Sequence, residues 1–223
     1  MSNESWTAVD RYISERLIKK DEAQTETLAA NAAAKLPAID VSPPQGKLLN
    51  LLARSIGAKR ILEIGTLGGY STIWLARALA PGGRLITLEF DARHANVAQK
   101  NISREGLSHL VDIRVGPALD ALPKLEQEGA GPFDLAFIDA DKENNANYFR
   151  WALKLARPGA LIIVDNVVRD GAVVDLANDD PMIVGTRALF DALAAEPRVS
   201  ATAIQTVGSK GWDGFAIALV NES

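Results

Sequence analysis

Two short acidic stretches have the clearest chemical potential in this sequence, Asp139-Ala140-Asp141-Lys142 and Asp165-Asn166. Each follows an apolar run, Phe133–Ile138 and Ala160–Val164, so each stands at the tip of an expected strand. If those strands are neighbours, Asp139, Asp165 and Asn166 meet at one edge of a crevice. Two carboxylates and an amide oxygen suit a hard divalent cation such as Mg²⁺, Mn²⁺ or Ca²⁺. Zinc is disfavoured, because there is no cysteine and neither His94 nor His109 lies at these tips. The competing reading of each residue alone is that it caps the helix or turn that follows.

A second constellation lies upstream, in Glu63-Ile64-Gly65-Thr66-Leu67-Gly68-Gly69-Tyr70-Ser71. Gly65 and Gly68 permit a tight turn and a close approach of backbone to a ligand. The spacing is not G-x-G-x-x-G, and a carboxylate at Glu63 would repel a phosphate, so a cationic or hydroxyl-bearing ligand fits better. Glu89 ends the next apolar run, where an acidic residue accepts the ribose hydroxyls of an adenosine. Gly116-Pro117-Ala118 then forms a small-residue corner on which a flat adenine could lie.

The elements that must position these groups follow from apolar periodicity. The runs Arg60–Ile64, Arg84–Glu89, Val111–Val115, Phe133–Ile138 and Ala160–Val164 alternate with amphipathic stretches near Ser71–Ala80, Ala92–Glu105, Ala118–Glu128 and Asn144–Ala156. That alternation predicts an α/β sheet with helices on both faces and parallel first strands. A helix near Ile183–Ala194 precedes Val199–Gln205 and Phe215–Val220, which read as an antiparallel edge hairpin joined by the turn-rich GSKGWDG. Ahead of the sheet, Trp6, Val9, Ile13 and Leu17 recur at helical spacing behind a cap at Ser5. Helices are also expected over Asp21–Lys35 and Gly46–Ile56. Residues 1–223 are read as one domain, with 1–40 a helical arm and 41–223 the core.

The motifs EIGTLGGYS, Glu89, GPAL at 116–119, DADK at 139–142 and DN at 165–166, in this order and spacing, resemble the metal-dependent O-methyltransferases of the caffeoyl-CoA and catechol type. The resemblance runs from about Val41 to Val220. It implies a Rossmann-like class I methyltransferase fold, seven-stranded and mostly parallel with an antiparallel edge hairpin, and S-adenosyl-L-methionine as methyl donor. By matching positions, Val41, Glu63, Gly65, Ser71, Glu89, Ala118 and Asp139 contact that donor, Val41 near its methionine end. Asp139, Asp165 and Asn166 hold the cation. Lys142 acts as general base with Asp139 beside it; the bland alternative is a surface ion pair of Lys142 with Asp141 or Asp170. A phenol is mostly protonated at neutral pH, so cation and base together would activate it.

The match thins around the acceptor. Arg169 stands where the plant enzymes carry an aromatic residue, and Asn145 where they often carry Tyr, which puts an acyl-CoA acceptor in doubt. Tyr148 either touches substrate or is ordinary core, and Trp212 either packs the hairpin or walls the pocket. Lys210 and Arg169 could attract an acidic acceptor. The resemblance also implies a homodimer built partly from the N-terminal helices.

Composition bounds the rest. Lys and Arg total 24 against 28 Asp and Glu, a net charge of −4, which opposes a duplex-binding surface. Apolar residues make up 48%, enough for a sizeable core, yet no run is long enough to span a bilayer. With no signal-peptide pattern in MSNESWTAVDRY, a cytoplasmic protein acting on a small phenol is expected. The alternatives are a tRNA wobble 5-hydroxyuridine methyltransferase, with Lys19, Lys20 and Lys35 facing RNA, a nicotinamide oxidoreductase, and a non-catalytic cofactor binder. The missing G-x-G-x-x-G counts against the oxidoreductase, and the presence of Asp139, Asp165 and Lys142 against the binder.

Overall fold

The computed structural model describes residues 3–18 and 21–222; Lys19 and Lys20 lie outside it. Seven strands form one sheet in the order β3-β2-β1-β4-β5-β7-β6. These are β1 (Arg60–Ile64), β2 (Arg84–Glu89), β3 (Val111–Val115), β4 (Phe133–Ile138), β5 (Ala156–Asp165), β6 (Val199–Gly208) and β7 (Gly211–Val220). The first five pair in parallel, while β7 runs antiparallel to β5 and β6. The helices are α1 (Asn3–Leu17), α2 (Glu22–Ala33), α3 (Pro43–Ser55), α4 (Tyr70–Ala76), α5 (Ala92–Arg104), α6 (Ala118–Gln127), α7 (Asn145–Leu155) and α8 (Pro181–Ala195).

Successive residues of a strand face opposite sides of the sheet, and both sides here are covered. Leu62 and Ile64 of β1, with Ala136 and Ile138 of β4, pack on one face against Leu122, Phe149, Leu153 and Leu189 of α6, α7 and α8. Ile61, Leu135 and Phe137 pack on the other against Leu49, Ile73 and Ile102 of α3, α4 and α5. Double burial is why the central strands read as unbroken apolar runs. Chain order reverses between β1 and β4, which opens a crevice at their carboxyl ends.

Several boundaries differ from the sequence reading, among them the start of α3 at Pro43 where Gly46 was expected. Helix α1 begins at Asn3, so Ser5 lies inside it. Helix α4 ends at Ala76, short of the expected Ala80. Strand β5 begins at Ala156, because Phe133 pairs with Ala156 and Arg157 is ion-paired to Asp134. The hairpin turn shrinks to Ser209-Lys210, placing Trp212-Asp213-Gly214 within β7 opposite Val207, Thr206 and Gln205. Along α1 no described residue is buried, and Val9, Tyr12 and Leu17 are exposed. Among the described residues no helix is long and apolar enough to cross a membrane.

Candidate active site

Register brings the two constellations together. Ile64 pairs with Ile138, and the Asp139 amide donates to the Ile64 carbonyl at 2.8 Å, so Gly65 lies directly against Asp139. Gly65 has φ +99°, and a Cβ there would stand 2.0 Å from the Asp139 carbonyl oxygen. Any side chain at this position would push the two loops apart. Beside it, Gly68 approaches Asn31 so closely that a Cβ would meet the Asn31 amide oxygen at 1.9 Å. Asn31 accepts from the Asn101 amide (3.0 Å) and donates to Asp40 (2.9 Å), tying the glycine loop to the segment before α3.

Glu63, an expected donor contact, stands at the end of β1 behind a ring of hydroxyls. It is wholly buried, and its oxygens accept from the hydroxyls of Ser71 (2.7 Å), Thr87 (2.7 Å) and Thr72. Burial pushes its carboxyl up to about 7, the hydroxyls partly opposing the shift. Ser71, in the first turn of α4, is the side chain through which Glu63 can act on the crevice. The folded chain therefore holds the Glu63 proton more tightly than the unfolded one. That contribution to stability is complete below about pH 4.5 and is lost as pH rises through about 7. Between pH 5 and 8 the protein should lose roughly 3 kcal/mol of stability relative to a Glu63→Gln variant. Parallel pH profiles of thermal unfolding in the two proteins would contradict this.

Glu89 is already engaged. Its Oε2 accepts the amides of Thr66 (3.1 Å) and Leu67 (2.8 Å), and its Oε1 that of Asp91 (2.9 Å). The carboxylate shapes the glycine loop, and His94 Nδ1 stands 3.4 Å from its Oε1. Ala118 opens α6 directly after Pro117 and is partly exposed.

At the next tips, Lys142 Nζ lies 2.8 Å from Asp139 Oδ1, its side chain 5% exposed. This is neither a surface pair nor a pair with Asp141 or Asp170. Lys142 is held in a single-turn 3₁₀ helix, Lys142–Asn144, that α8 covers. The cover is tight, since a Cβ on Gly185 would meet the Lys142 carbonyl at 2.3 Å. The pairing of Ile138 with Val164 sets Asp165 beside Asp139. Asp165 is 5% exposed and accepts the Asn166 amide at 2.9 Å. Burial first, and the facing Asp139 carboxylate second, push the Asp165 carboxyl well above the ordinary range. Asn166 adopts φ +58°, a left-handed conformation that asparagine tolerates better than most residues. Two carboxylates served by one ammonium leave a deficit of positive charge, and the donors are all oxygen, so the set fits a hard divalent ion. Among the described residues no three His, Cys, Asp or Glu side chains converge. The acids at these tips are two, Asp139 and Asp165.

Val41, Asp165, Asn166, Arg169 and Trp212 line one cavity of about 360 Å³, together with Asp40, Gln45, Ile183, Lys210 and Asp213. Asp213 organises its far wall. Its Oδ1 accepts the amides of Val168 (2.9 Å), Arg169 (3.0 Å) and Gly214 (2.9 Å), holding Arg169 and Asp170 in left-handed conformations. Trp212 packs on Gly171, where a Cβ would meet its ring at 2.8 Å, and donates to Gln205 (3.1 Å). Tyr148 is not part of this wall. It is buried in the core on the α7 side, and its hydroxyl donates to Asp141, which with burial raises its pKa beyond the usual phenol range. Asn145 is fully buried, with neither side-chain polar atom partnered among the described residues.

Sequence reasoning did not find Asp40 or Gln45. The one available signal was position, since Asp40 and Gln45 flank Val41 and the Ser42 helix cap. A second hollow of about 220 Å³ lies between β3 and α6, lined in part by Gly116 and Pro117 of the expected adenine corner.

A family model described as O-methyltransferase matches residues 15–218. A curated catechol O-methyltransferase from Niastella koreensis is 54% identical over 220 residues, spanning 99% of this chain and 100% of its own length. One from Mycobacterium tuberculosis is 54% identical over 212 residues, spanning 95% and 94%. The crystal structure of an O-methyltransferase from Bacillus cereus in complex with SAH matches with a TM-score of 0.98 at 59% identity, covering 99% of this chain and 100% of that one. These relatives give the tRNA alternative no support.

Proposed function

Since this chain belongs to the S-adenosylmethionine-dependent O-methyltransferases of the catechol and caffeoyl-CoA type, we propose that it methylates one hydroxyl of a small vicinal diphenol with the help of a divalent cation. The observation that carries this reading is the meeting of Asp165 and Asn166, in the wall of a ligand-sized cavity, with the Asp139–Lys142 pair next to the Gly65 loop. Asp139, Asp165 and Asn166 would hold the cation. When bound, it would supply the positive charge that lets a phenol ionise near neutral pH.

Lys142, as the free amine, takes the hydroxyl proton and becomes an ammonium paired with Asp139. The acceptor oxygen then attacks the donor's methyl carbon in line with the sulfonium. An O–C bond forms as the S–C bond breaks, and the electron pair stays on sulfur. Gly65 lets the donor loop sit against Asp139, and Val41 closes the donor's methionine end. Ser71, steadied by Glu63, and Glu89 and Ala118 bind the rest of the donor. α3, α8 and the 167–171 loop keep bulk water from the reacting atoms.

The test is transfer of a labelled methyl group from S-adenosylmethionine to catechol and to 3,4-dihydroxybenzoate, with Mg²⁺ and with EDTA. Transfer that EDTA abolishes is expected. Transfer indifferent to EDTA would remove the cation, and no transfer to either diphenol would remove the substrate class.

A homodimer is part of the same reading. It is supported by the exposed Val9, Tyr12 and Leu17 of α1, which packs beside β6, an edge strand with no buried residue. Light scattering at micromolar concentration should return twice the chain mass, and a monomer mass would refute it.

A further inference from the structure

The arm helix α2 turns a polar face inward. Its buried residues are Gln24, Thr27 and Asn31, with Leu28 beside them at the edge of the apolar core. A helix placed for packing alone would bury an apolar stripe. Of the three, Thr27 bonds back to its own helix and Gln24 has no partner for its side chain among the described residues. Asn31 carries the contacts to the rest of the chain. Resting on the reading that the donor lies between the Gly65–Ser71 turn and Val41, we propose that Asn31 is a positioning residue that fastens the 38–41 segment to that turn, so that both close on the donor as one unit.

The turn needs such a hold. Leu67 adopts φ +49°, a left-handed conformation that a leucine tolerates poorly. Glu89 secures one side by accepting the Leu67 amide at 2.8 Å. On the other, the fully buried Asn101 donates to the Gly68 carbonyl at 2.8 Å, and the same nitrogen donates to Asn31 Oδ1 at 3.0 Å. Gly68 itself has no left-handed φ. What excludes a side chain there is Asn31, whose Oδ1 would lie 1.9 Å from a Cβ.

The other end of the amide reaches the second segment. Asn31 Nδ2 donates to Asp40 Oδ1 at 2.9 Å, and among the described residues no cation comes within ion-pair distance of Asp40. Asp40 and Val41 line the same cavity as Asp165 and Asn166. The orientation of both amides follows from their partners, since a carbonyl and a carboxylate only accept. One side chain, 3% exposed, thus spans the turn and the segment facing it.

The experiment measures S-adenosylhomocysteine affinity by calorimetry, and methyl-transfer kinetics, in Asn31→Ala, in Asn31→Asp and in the swap Asn31→Asp with Asp40→Asn. Asn31→Asp sets two carboxylates against each other. Affinity should fall by about tenfold and donor KM rise by as much, with kcat at saturating donor nearly unchanged. The swap reverses the polarity of the bond without removing it, because a carboxylate at 31 still accepts from Asn101 and from an amide at 40. It should recover most of the affinity. In the wild type, S-adenosylhomocysteine should slow amide hydrogen exchange over 38–41 and 66–69 together; in Asn31→Ala it should slow 66–69 alone. Unchanged affinity in both single variants would overturn the proposal and leave the donor's placement intact. So would a loss carried by kcat, or a swap that recovers the melting temperature but not the affinity, the mark of a merely structural residue. Should Asn31→Asp fail to fold, Asn31→Ala and its exchange pattern decide. Protection of neither segment in the wild type would overturn the donor's placement, and the proposal with it.

Discussion

Replacing Asp165 with Asn should lower kcat/KM by about a thousandfold or more, equivalent to ~4 kcal/mol of lost transition-state stabilisation, while the fold persists. The two halves of this expectation have one cause. Asp165 is 5% exposed and faces Asp139, so burial and like charge both resist its ionisation. A buried carboxylate of that kind is retained against a stability cost because something in the working enzyme needs its charge. An amide of the same shape removes the cost together with the charge. Without divalent cation, the variant's melting temperature should therefore equal or exceed that of the wild type. Steady-state kinetics over a Mg²⁺ series, with thermal unfolding in EDTA, checks both halves. A variant that keeps wild-type turnover and still responds to Mg²⁺ would show that the cation sits elsewhere. A variant that unfolds would show that Asp165 is structural.

Lys142→Met should reduce kcat by roughly 10²–10⁴-fold, the range associated with a positioned general base, and leave the affinity for S-adenosylmethionine nearly unchanged. Lys142 is buried beside Asp139 and under α8, so its amine is held in one place. Lys142→Arg keeps a cation next to Asp139 but cannot release its proton, and should not restore the rate. The distinguishing readout is acceptor acidity. A nitro-substituted diphenol, whose hydroxyl ionises more readily, should suffer much less from Lys142→Met than catechol does. An equal loss for both acceptors would mean that Lys142 serves to hold Asp139 rather than to move a proton.

The parts legible in the sequence were those governed by local pattern. Strands β1 to β4 stand where the apolar runs were: β1, β2 and β4 are buried on both faces, while β3, at the sheet edge and partly exposed, shows in the alternation of VDIRV. Asp139 and Asp165 could be set side by side because each ends a run in a parallel pair. The family resemblance supplied the roles of these residues; strand spacing alone could not separate a metal ligand from a helix cap.

What escaped was assembled from distant segments. The hydroxyls that enclose Glu63 come from other elements, Thr72 on α4 and Thr87 on β2. The cavity of about 360 Å³ draws on residues 38–45, 165–170, 183 and 210–213, short polar stretches in which no periodicity marks a face. GSKGWDG read as a long turn because it is rich in glycine and polar residues. Gly211, at φ +97°, allows a two-residue turn instead, and the pairing then runs on through Trp212. Tyr148 shows the converse case. An aromatic residue close after the DADK stretch was packed into the core by the helix that carries it.

The central claim is that Asp139, Asp165 and Asn166 gather one divalent cation next to the methyl donor. Its most direct measurement is a titration of Mn²⁺ into the protein loaded with S-adenosylhomocysteine, with free ion followed by electron paramagnetic resonance. The wild type should take up one ion per chain, and Asp165→Asn should take up none over the same range. Uptake that is the same in both proteins, or absent from the wild type, would contradict the claim.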